Sequence, residues 1–219
     1  KDIIPYEVDN IRIRYYADQK ATGYATGLDL RLNGEFVKGI ESWASLSLMK
    51  TAESIKYYLS PSGEILSQTD INNGETYISD TLIRGIPRPS DQRINFSLFF
   101  QDYIPFIPSF KVNLKLVFGT GMPFGAPHTE RYQQKKRMSA YRRIDIGFSK
   151  QLISEKTSFG SNNPLRFIRN SWISLEVFNL LGISNVSSYM WVTDIYNIQY
   201  AVPNYLTPRQ INLKFVAEF

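Results

Sequence analysis

The residues best suited to chemistry are few. The single histidine, His128, stands in "GAPHTE" beside Thr129 and Glu130. A Ser–His–Asp nucleophile needs such a histidine, and a metal centre needs more than one ligand of this kind. The chain has no cysteine, so a thiolate nucleophile, a thiolate metal site and a disulfide framework are all excluded. His128 therefore reads as an exposed loop histidine. "GTGMPFG" (119–125) is glycine-rich but lacks the G-x-x-x-x-G-K-[ST] pattern, and no helical pattern follows it. It reads as a strand end and a turn. "DINNGE" (70–75) has the residue types of a calcium loop, but Gly74 falls at the fifth position instead of the sixth and the downstream Glu is missing. The EF-hand reading fails, and a looser calcium site in this acidic loop stays open. These residues predict no enzyme and no cofactor.

Charge is more clearly patterned. "ERYQQKKR" (130–137) gathers Arg131, Lys135, Lys136 and Arg137. This basic loop reads as a solvated tip or as a contact for anionic groups such as lipopolysaccharide phosphates. Nucleic acid would need stacking aromatics on a defined platform, and Tyr132 alone does not make one. The segment 52–91 has the opposite sign, with Glu53, Glu64, Asp70, Glu75, Asp80 and Asp91 against Lys56, Arg84 and Arg88. Its "IKYYLSPSGEILSQ" (55–68) predicts a hairpin extension around Pro61–Gly63. The formal charge of +5 mildly favours anionic neighbours.

The elements that must carry these loops are strands. Period two dominates, and helical period is hard to find. In "KVNLKLVFG" (111–119), Val112, Leu114, Leu116 and Phe118 oppose Lys111, Asn113 and Lys115. In "YRRIDIGFSKQL" (141–152), Ile144, Ile146 and Phe148 oppose Arg143, Asp145, Gly147 and Ser149. Ile173, Leu175 and Val177 oppose Ser174 and Glu176, and Leu28, Leu30 and Leu32 oppose Asp29 and Arg31. The pattern predicts eight strands, at about 9–17, 22–33, 40–51, 92–104, 109–120, 140–152, 169–182 and 208–219. Most run nine residues or more, whereas soluble strands average about five or six and a tilted membrane-spanning strand needs about nine to eleven.

The connections sort by length. Those at 33–39 and 105–109 are short and fall at the same end as the C-terminus. Those at 52–91, 120–139 and 183–207 are long and fall at the other end, and 153–168 is a longish exception at the short end. Short turns on one side and long loops on the other is the arrangement of outer-membrane barrels. There are 14 Tyr, 14 Phe and 3 Trp, which suits surfaces with one apolar and one wet side. No apolar run is long enough for a transmembrane helix. The fold predicted is all-β: an antiparallel transmembrane β-barrel segment. In a barrel, Lys111, Lys115, Arg143, Asp145, Glu176 and Lys214 line a wet lumen, with Lys111 or Lys115 paired to Asp145 and Glu176 paired to Lys214.

Several stretches together resemble TonB-dependent outer-membrane receptors. "GYATGLDLRLNGEFVKGIESWASLSLMKT" (23–51) is similar to a strand–turn–strand unit of that family. "MSAYRRIDIGFSKQL" (138–152) is similar to a late strand. "ISLEVFNL" (173–180), through Val177, Asn179 and Leu180, resembles the penultimate strand, and "TPRQINLKFVAEF" (207–219) resembles the closing one. "GIPRPSDQRINFSLFFQDYIP" (85–105) resembles the branch with a carboxypeptidase-regulatory-like extension. The resemblance implies one C-terminal portion, 1–219, of a barrel of about 22 strands. It implies TonB-dependent uptake of a large scarce nutrient: a metal chelate, cobalamin, a glycan or a peptide. It further implies an outer-membrane location in a Gram-negative bacterium, with the long loops extracellular and the C-terminus periplasmic. Ile211, Leu213, Phe215 and the terminal Phe219 would form the signal read by the barrel-assembly machinery. The expected partners are outer-membrane lipid, lipopolysaccharide, that machinery, the remainder of the barrel, and TonB through an N-terminal part. The sequence departs from the family in carrying neither a plug nor a TonB box.

Two other readings stay open. A stand-alone small barrel, structural or adhesive, would pair strand 9–17 with strand 208–219. A soluble β-sandwich binding module would bury its apolar face beneath a second sheet.

Overall fold

The computed structural model describes the whole chain except Lys1, Asn10, Ile11, Lys38, Gly39, His128, Lys156, Ser158, Ser161 and Asn162. His128 thus lies outside the described residues. Alternation dictates strands, and among the described residues there are fifteen: β1 (Tyr6–Asp9), β2 (Arg12–Tyr15), β3 (Ala21–Val37), β4 (Ile40–Leu59), β5 (Ile65–Leu66), β6 (Ser79–Pro87), β7 (Ile94–Ile104), β8 (Ile107–Gly119), β9 (Pro123–Phe124), β10 (Lys136–Arg137), β11 (Tyr141–Ile153), β12 (Asn170–Phe178), β13 (Val186–Thr193), β14 (Gln199–Tyr205) and β15 (Gln210–Glu218). One short helix, α1 (Gln68–Asn72), starts in a capping box between Ser67 and Asp70. Asp70 is thereby engaged within its own turn, accepting from the Ser67 N–H at 2.7 Å.

The main sheet is an antiparallel meander in the order β3-β4-β7-β8-β11-β12-β15. Seven of the eight predicted strands are its members. The predicted strand 9–17 is a correction. Tyr6–Asp9 and Arg12–Tyr15 pair with each other as a separate hairpin, with Tyr6 opposite Tyr15. Each arm has four residues, roughly 13 Å of strand, and among the described residues it pairs with the other arm and with no strand of the meander. Among the described residues, β3 and β15 each have one neighbour, so the meander is open at both edges and strand 9–17 does not pair with the C-terminal strand.

Connections sort by end. Val37 leads to Ile40, Ile104 to Ile107 and Ile153 to Asn170 at the end where β15 finishes. The long segments after β4, β8 and β12 gather at the opposite end. β4 is 20 residues long and outruns its neighbours. Its lower half pairs with β7 at Trp43–Leu48, and its upper half pairs with β6 at Ala52–Leu59. The predicted hairpin around Pro61–Gly63 is present, with Tyr58 opposite Leu66 and Leu59 opposite Ile65.

Register makes the two faces of the meander continuous, because directly opposed residues share a face. One row runs Leu32, Ala44, Leu98, Leu116, Ile144. Another runs Phe100, Leu114, Ile146, Val177, Ile211. The intervening rows on the other face run Arg31, Ser45, Ser97, Val117, Arg143 and Gln101, Asn113, Gly147, Glu176, Asn212. The apolar face is uncovered: Leu30 is 53% exposed and Leu213 68%. The buried hydrophobic residues among those described are only Ala21, Ile40, Ala52, Ile55, Tyr57, Ile86 and Ile153. Four of them, Ala21, Ile55, Tyr57 and Ile86, form one small cluster at the long-loop end.

Candidate functional site

Two surfaces hold the polar side chains: the polar face of the meander, and the cap into which the long loops fold.

On the polar face, all six sequence-predicted charges take alternate positions of the same set. Lys115 is directly opposite Asp145, as the spacing predicts. Yet the short contact of Asp145 is with Arg143, whose Nε donates to Oδ1 at 2.7 Å. Asp145 Oδ1 also accepts the Asn179 N–H at 2.8 Å. The expected Glu176–Lys214 pair is likewise replaced. Glu176 faces Asn212, whose Nδ2 donates to Oε2 at 3.0 Å, while Lys214 faces Ser174. A directly opposed amide outcompetes a diagonal ammonium that must stretch across the ladder. Lys111 lies over two rings, 5.1 Å from Tyr103 and 4.8 Å from Trp172. These contacts bind a cation by its charge while leaving it partly hydrated. Near the long-loop end, Asp29, Ser47 and Asn95 line a concavity of about 410 Å³ with Gly27, Met49 and Gln92. Its acceptors and donors suit hydroxyls and amides.

Asn179 explains part of a motif that the alternation could not. It ends β12 in the left-handed region, at φ 53°, where asparagine is tolerated. Its Nδ2 donates to Ile183 O at 2.9 Å and its Oδ1 accepts from Ile183 N at 3.1 Å. Asn185 then imitates a strand: it accepts from the Arg142 N–H and donates to the Arg142 carbonyl, both at 2.8 Å. Asn185 thus ties the chain just before β13 to the start of β11, and Asn179 pins Ile183 beside the end of β12. Tyr189 of the β13–β14 hairpin stacks on Phe124 at 4.5 Å.

In the cap, the basic loop predicted as solvated is corrected. Arg131 is buried, at 1% side-chain exposure, with Nε 3.0 Å from the fully buried Glu53 Oε1. The approach is too oblique to count as an N–H···O hydrogen bond, so the contact is an ion contact, and the Arg131 Nη2 donates instead to the Pro87 carbonyl. Arg88 lies 3.8 Å from the other oxygen of Glu53. Burial pushes the Glu53 carboxyl above its ordinary range, with Arg131 and Arg88 opposing that shift. Arg137 turns inward as well. Its guanidinium contacts Asp91 Oδ2 and donates to the carbonyls of Asp91 and Gly121. Glycine at 121 lets the Met138 backbone come close, since a Cβ there would meet the Met138 carbonyl oxygen at 1.7 Å. Lys135 and Lys136 alone of the cluster stay exposed without a described ion pair.

Asp91 is the second anchor. It has no exposed side-chain surface, although it lies just beneath Arg93 and Arg137. Burial raises its pKa, but the Thr51 N–H at 2.6 Å, Arg137 and Arg93 outweigh it and hold the carboxyl below its usual range. Glu7 is the third, with Arg14 at 3.2 Å and the Tyr16 hydroxyl donating at 2.8 Å. Gln134 donates to the same Glu7 oxygen as Tyr16. Tyr132 packs edge-on to Tyr57 at 5.1 Å. Each buried carboxylate meets a side chain from another segment, so these contacts anchor the cap. Among the described residues, no three His, Cys, Asp or Glu side chains converge as metal ligands. Glu53, Asp91 and Glu7 were not legible as anchors. The signal was the opposite net charge of segments 52–91 and 130–137.

The predicted assembly-signal residues Ile211, Leu213 and Phe215 lie in a line on the exposed apolar face of β15. Phe219, just beyond, stacks on Phe167 at 5.6 Å. No protein-family model, curated protein or solved structure matches the chain.

Proposed function

We propose that this chain is a length of outer-membrane β-barrel wall, the C-terminal part of a TonB-dependent receptor. The observation that carries this reading is a single-layer sheet with one continuous uncovered apolar face and one continuous polar face. In water such an apolar face would need a second layer over it. Against hydrocarbon it needs none, and the polar face then belongs to a wet lumen. The sorted loops, the long strands and the receptor-like motifs agree. The two free edges of the meander call for further strands, because an unpaired edge is not tolerated in lipid. A stand-alone small barrel would pair strand 9–17 with the C-terminal strand, and among the described residues no such pairing occurs.

In this reading the wall contributes to uptake of a large scarce nutrient. The capped loops shape the outer mouth, and the concavity at Asp29, Ser47 and Asn95 offers hydrogen bonds to polar cargo on its way inward. Energy from TonB would enter through parts of the receptor outside this stretch. Phe219 and the apolar line on β15 would serve the assembly machinery. Deleting Phe219 should lower insertion without lowering export to the periplasm.

The absence of native cysteine makes the central test clean. Fluorophores attached to single cysteines at Leu30, Leu116 and Leu213 should be quenched by nitroxide-bearing lipid. Cysteines at Asp29, Asn113 and Asn212 should instead react with a water-borne maleimide. Equal behaviour of the two sets, or a monomer that stays in solution without detergent, would sink the proposal.

A further inference from the structure

The β13–β14 hairpin guards one of its edges and leaves the other bare. Both strands lie outside the meander and, among the described residues, pair only with each other. Tyr189 is opposite Pro203, which has no N–H to exchange, so this pair is not a hydrogen-bonded one. The Asp194 N–H, donating to the Ile198 carbonyl at 3.0 Å, has the same phase. Met190 and Val192 therefore bond across to β14, while the N–H and C=O groups of Tyr189, Trp191 and Thr193 point outward from β13. Among the described residues no backbone group meets them. On β14 the outer edge is interrupted by Pro203, a common guard against strand addition. β13, "VSSYMWVT", has no proline, glycine or charge. The β1–β2 hairpin differs, since Glu7, Asp9, Arg12 and Arg14 charge both of its strands.

From Val177 to Pro208 the one charged residue is Asp194, in a chain that is 21% charged. Asp194 is committed to its own turn, accepting from the Tyr196 and Ile198 N–H groups at 2.9 Å. The hairpin is also held in place beforehand, by Asn185 on the Arg142 backbone and by the stacking of Tyr189 on Phe124. A fixed edge loses little freedom on pairing.

A second copy of the chain fits this edge. The three outward residues are symmetric about Trp191. An antiparallel twofold pairing centred there sets Trp191 against the second copy's Trp191, and Tyr189 against its Thr193. Every outward N–H and C=O of the three then has a partner. The same register puts Met190 directly across from the second copy's Val192. On that face Met190 already neighbours Val202, and Val192 neighbours Tyr200. These four side chains are 40% to 52% exposed in one copy. Paired, they join into rows of Val202, Met190, Val192 and Tyr200 across four strands. The formal charge of +5 makes like copies repel, and this surface meets its twin without setting charge against charge.

We infer that β13 is a self-association edge that joins two copies of this chain into one four-stranded sheet. The pairing needs only the hairpin, so it goes beyond the uptake reading and can fail without it.

The lack of native cysteine permits a test of register. Full chains carrying Met190→Cys are mixed in detergent with chains carrying Val192→Cys under mild oxidation. Directly opposed residues of a pair that is not hydrogen-bonded lie about 4.5 Å apart at Cα, within disulfide reach. The mixture should give covalent dimers several-fold faster than either variant alone, whose cysteines would lie on a diagonal. In sedimentation, Val192→Lys should raise the dimer dissociation constant about tenfold or more, because the change enters twice across the axis. Trp191→Pro mirrors Pro203 without removing a bond to β14 and should abolish pairing, whereas Trp191→Val should keep it. A monomer at all concentrations, equal cross-linking in mixed and unmixed samples, or a dimer that survives Val192→Lys or Trp191→Pro would overturn the inference. A monomer whose Leu30 label is still quenched by lipid nitroxide sinks the pairing alone. A cross-linked dimer without that quenching supports the pairing and sinks the wall reading alone.

Discussion

The meander and the loop cap invert each other. In the meander, apolar side chains such as Leu30 and Leu213 face outward and no second layer covers them. In the cap, Glu53, Arg131 and Asp91 are buried while Lys135 and Lys136 stay at the surface. The meander is held by ladder hydrogen bonds and by whatever solvates its apolar face. The cap is held by buried carboxylates that each meet a side chain from a distant segment, such as Glu53 of β4 with Arg131 of the 120–139 segment. One part depends on its surroundings and the other on internal charge partners. The same perturbation should therefore act differently on the two.

The largest effect should come from breaking a buried pair. Arg131→Ala leaves Glu53 without its closest partner, and uncompensated buried charge costs about 3–5 kcal/mol. Limited proteolysis should show cleavage within 120–139 while the meander stays protected. Adding Glu53→Gln should recover much of the protection. If both regions open together, the cap and the sheet are one unit and the contrast fails.

Next comes a charge on the apolar face. Leu46→Arg should cost about 2–4 kcal/mol in a lipid bilayer, where the neighbouring Ser45→Arg on the polar face should cost far less. Urea midpoints in lipid vesicles give both values. Equal costs would mean that both faces meet the same medium.

A pH titration should separate the regions more gently. The Asp91 carboxyl is held below its ordinary range by Thr51, Arg137 and Arg93 against the opposing effect of burial. A folded-state pKa below the unfolded one gives stability that is complete above about pH 4 and is lost as pH falls through the lower folded value. Hydrogen exchange around residues 88–93 should accelerate on that acid limb, and Asp91→Asn should remove the dependence. The smallest effect should be Ser174→Ala on the polar face. It deletes the 2.8 Å hydroxyl contact with Ser149 and should cost about 0.5–1.5 kcal/mol.

Periodicity alone made most of the meander legible. Seven strands and the face assignments of Lys111 through Lys214 follow from a two-residue repeat, which is a local property of the backbone. It failed at Tyr6–Tyr15, where two four-residue pieces alternate well but pair with each other. It also predicted the wrong charge partners. Partner choice depends on which residue lies directly across the ladder and on what else is within reach, as Asn212 and Arg143 show. The basic loop misled for a related reason: a run of Arg and Lys reads as solvated unless its carboxylates are seen to arrive from elsewhere.

The sequence by itself determined the strand content, the two-faced character of the sheet and the sorting of loops by length. All three arise from residue order over short distances. Only the tertiary structure decided where the charges go. Glu53 and Arg131 are 78 positions apart, and their contact exists because β4 overshoots the sheet and the 120–139 segment folds back onto it. No local pattern encodes that approach, since burial of an ion pair is settled by what the rest of the chain packs around it.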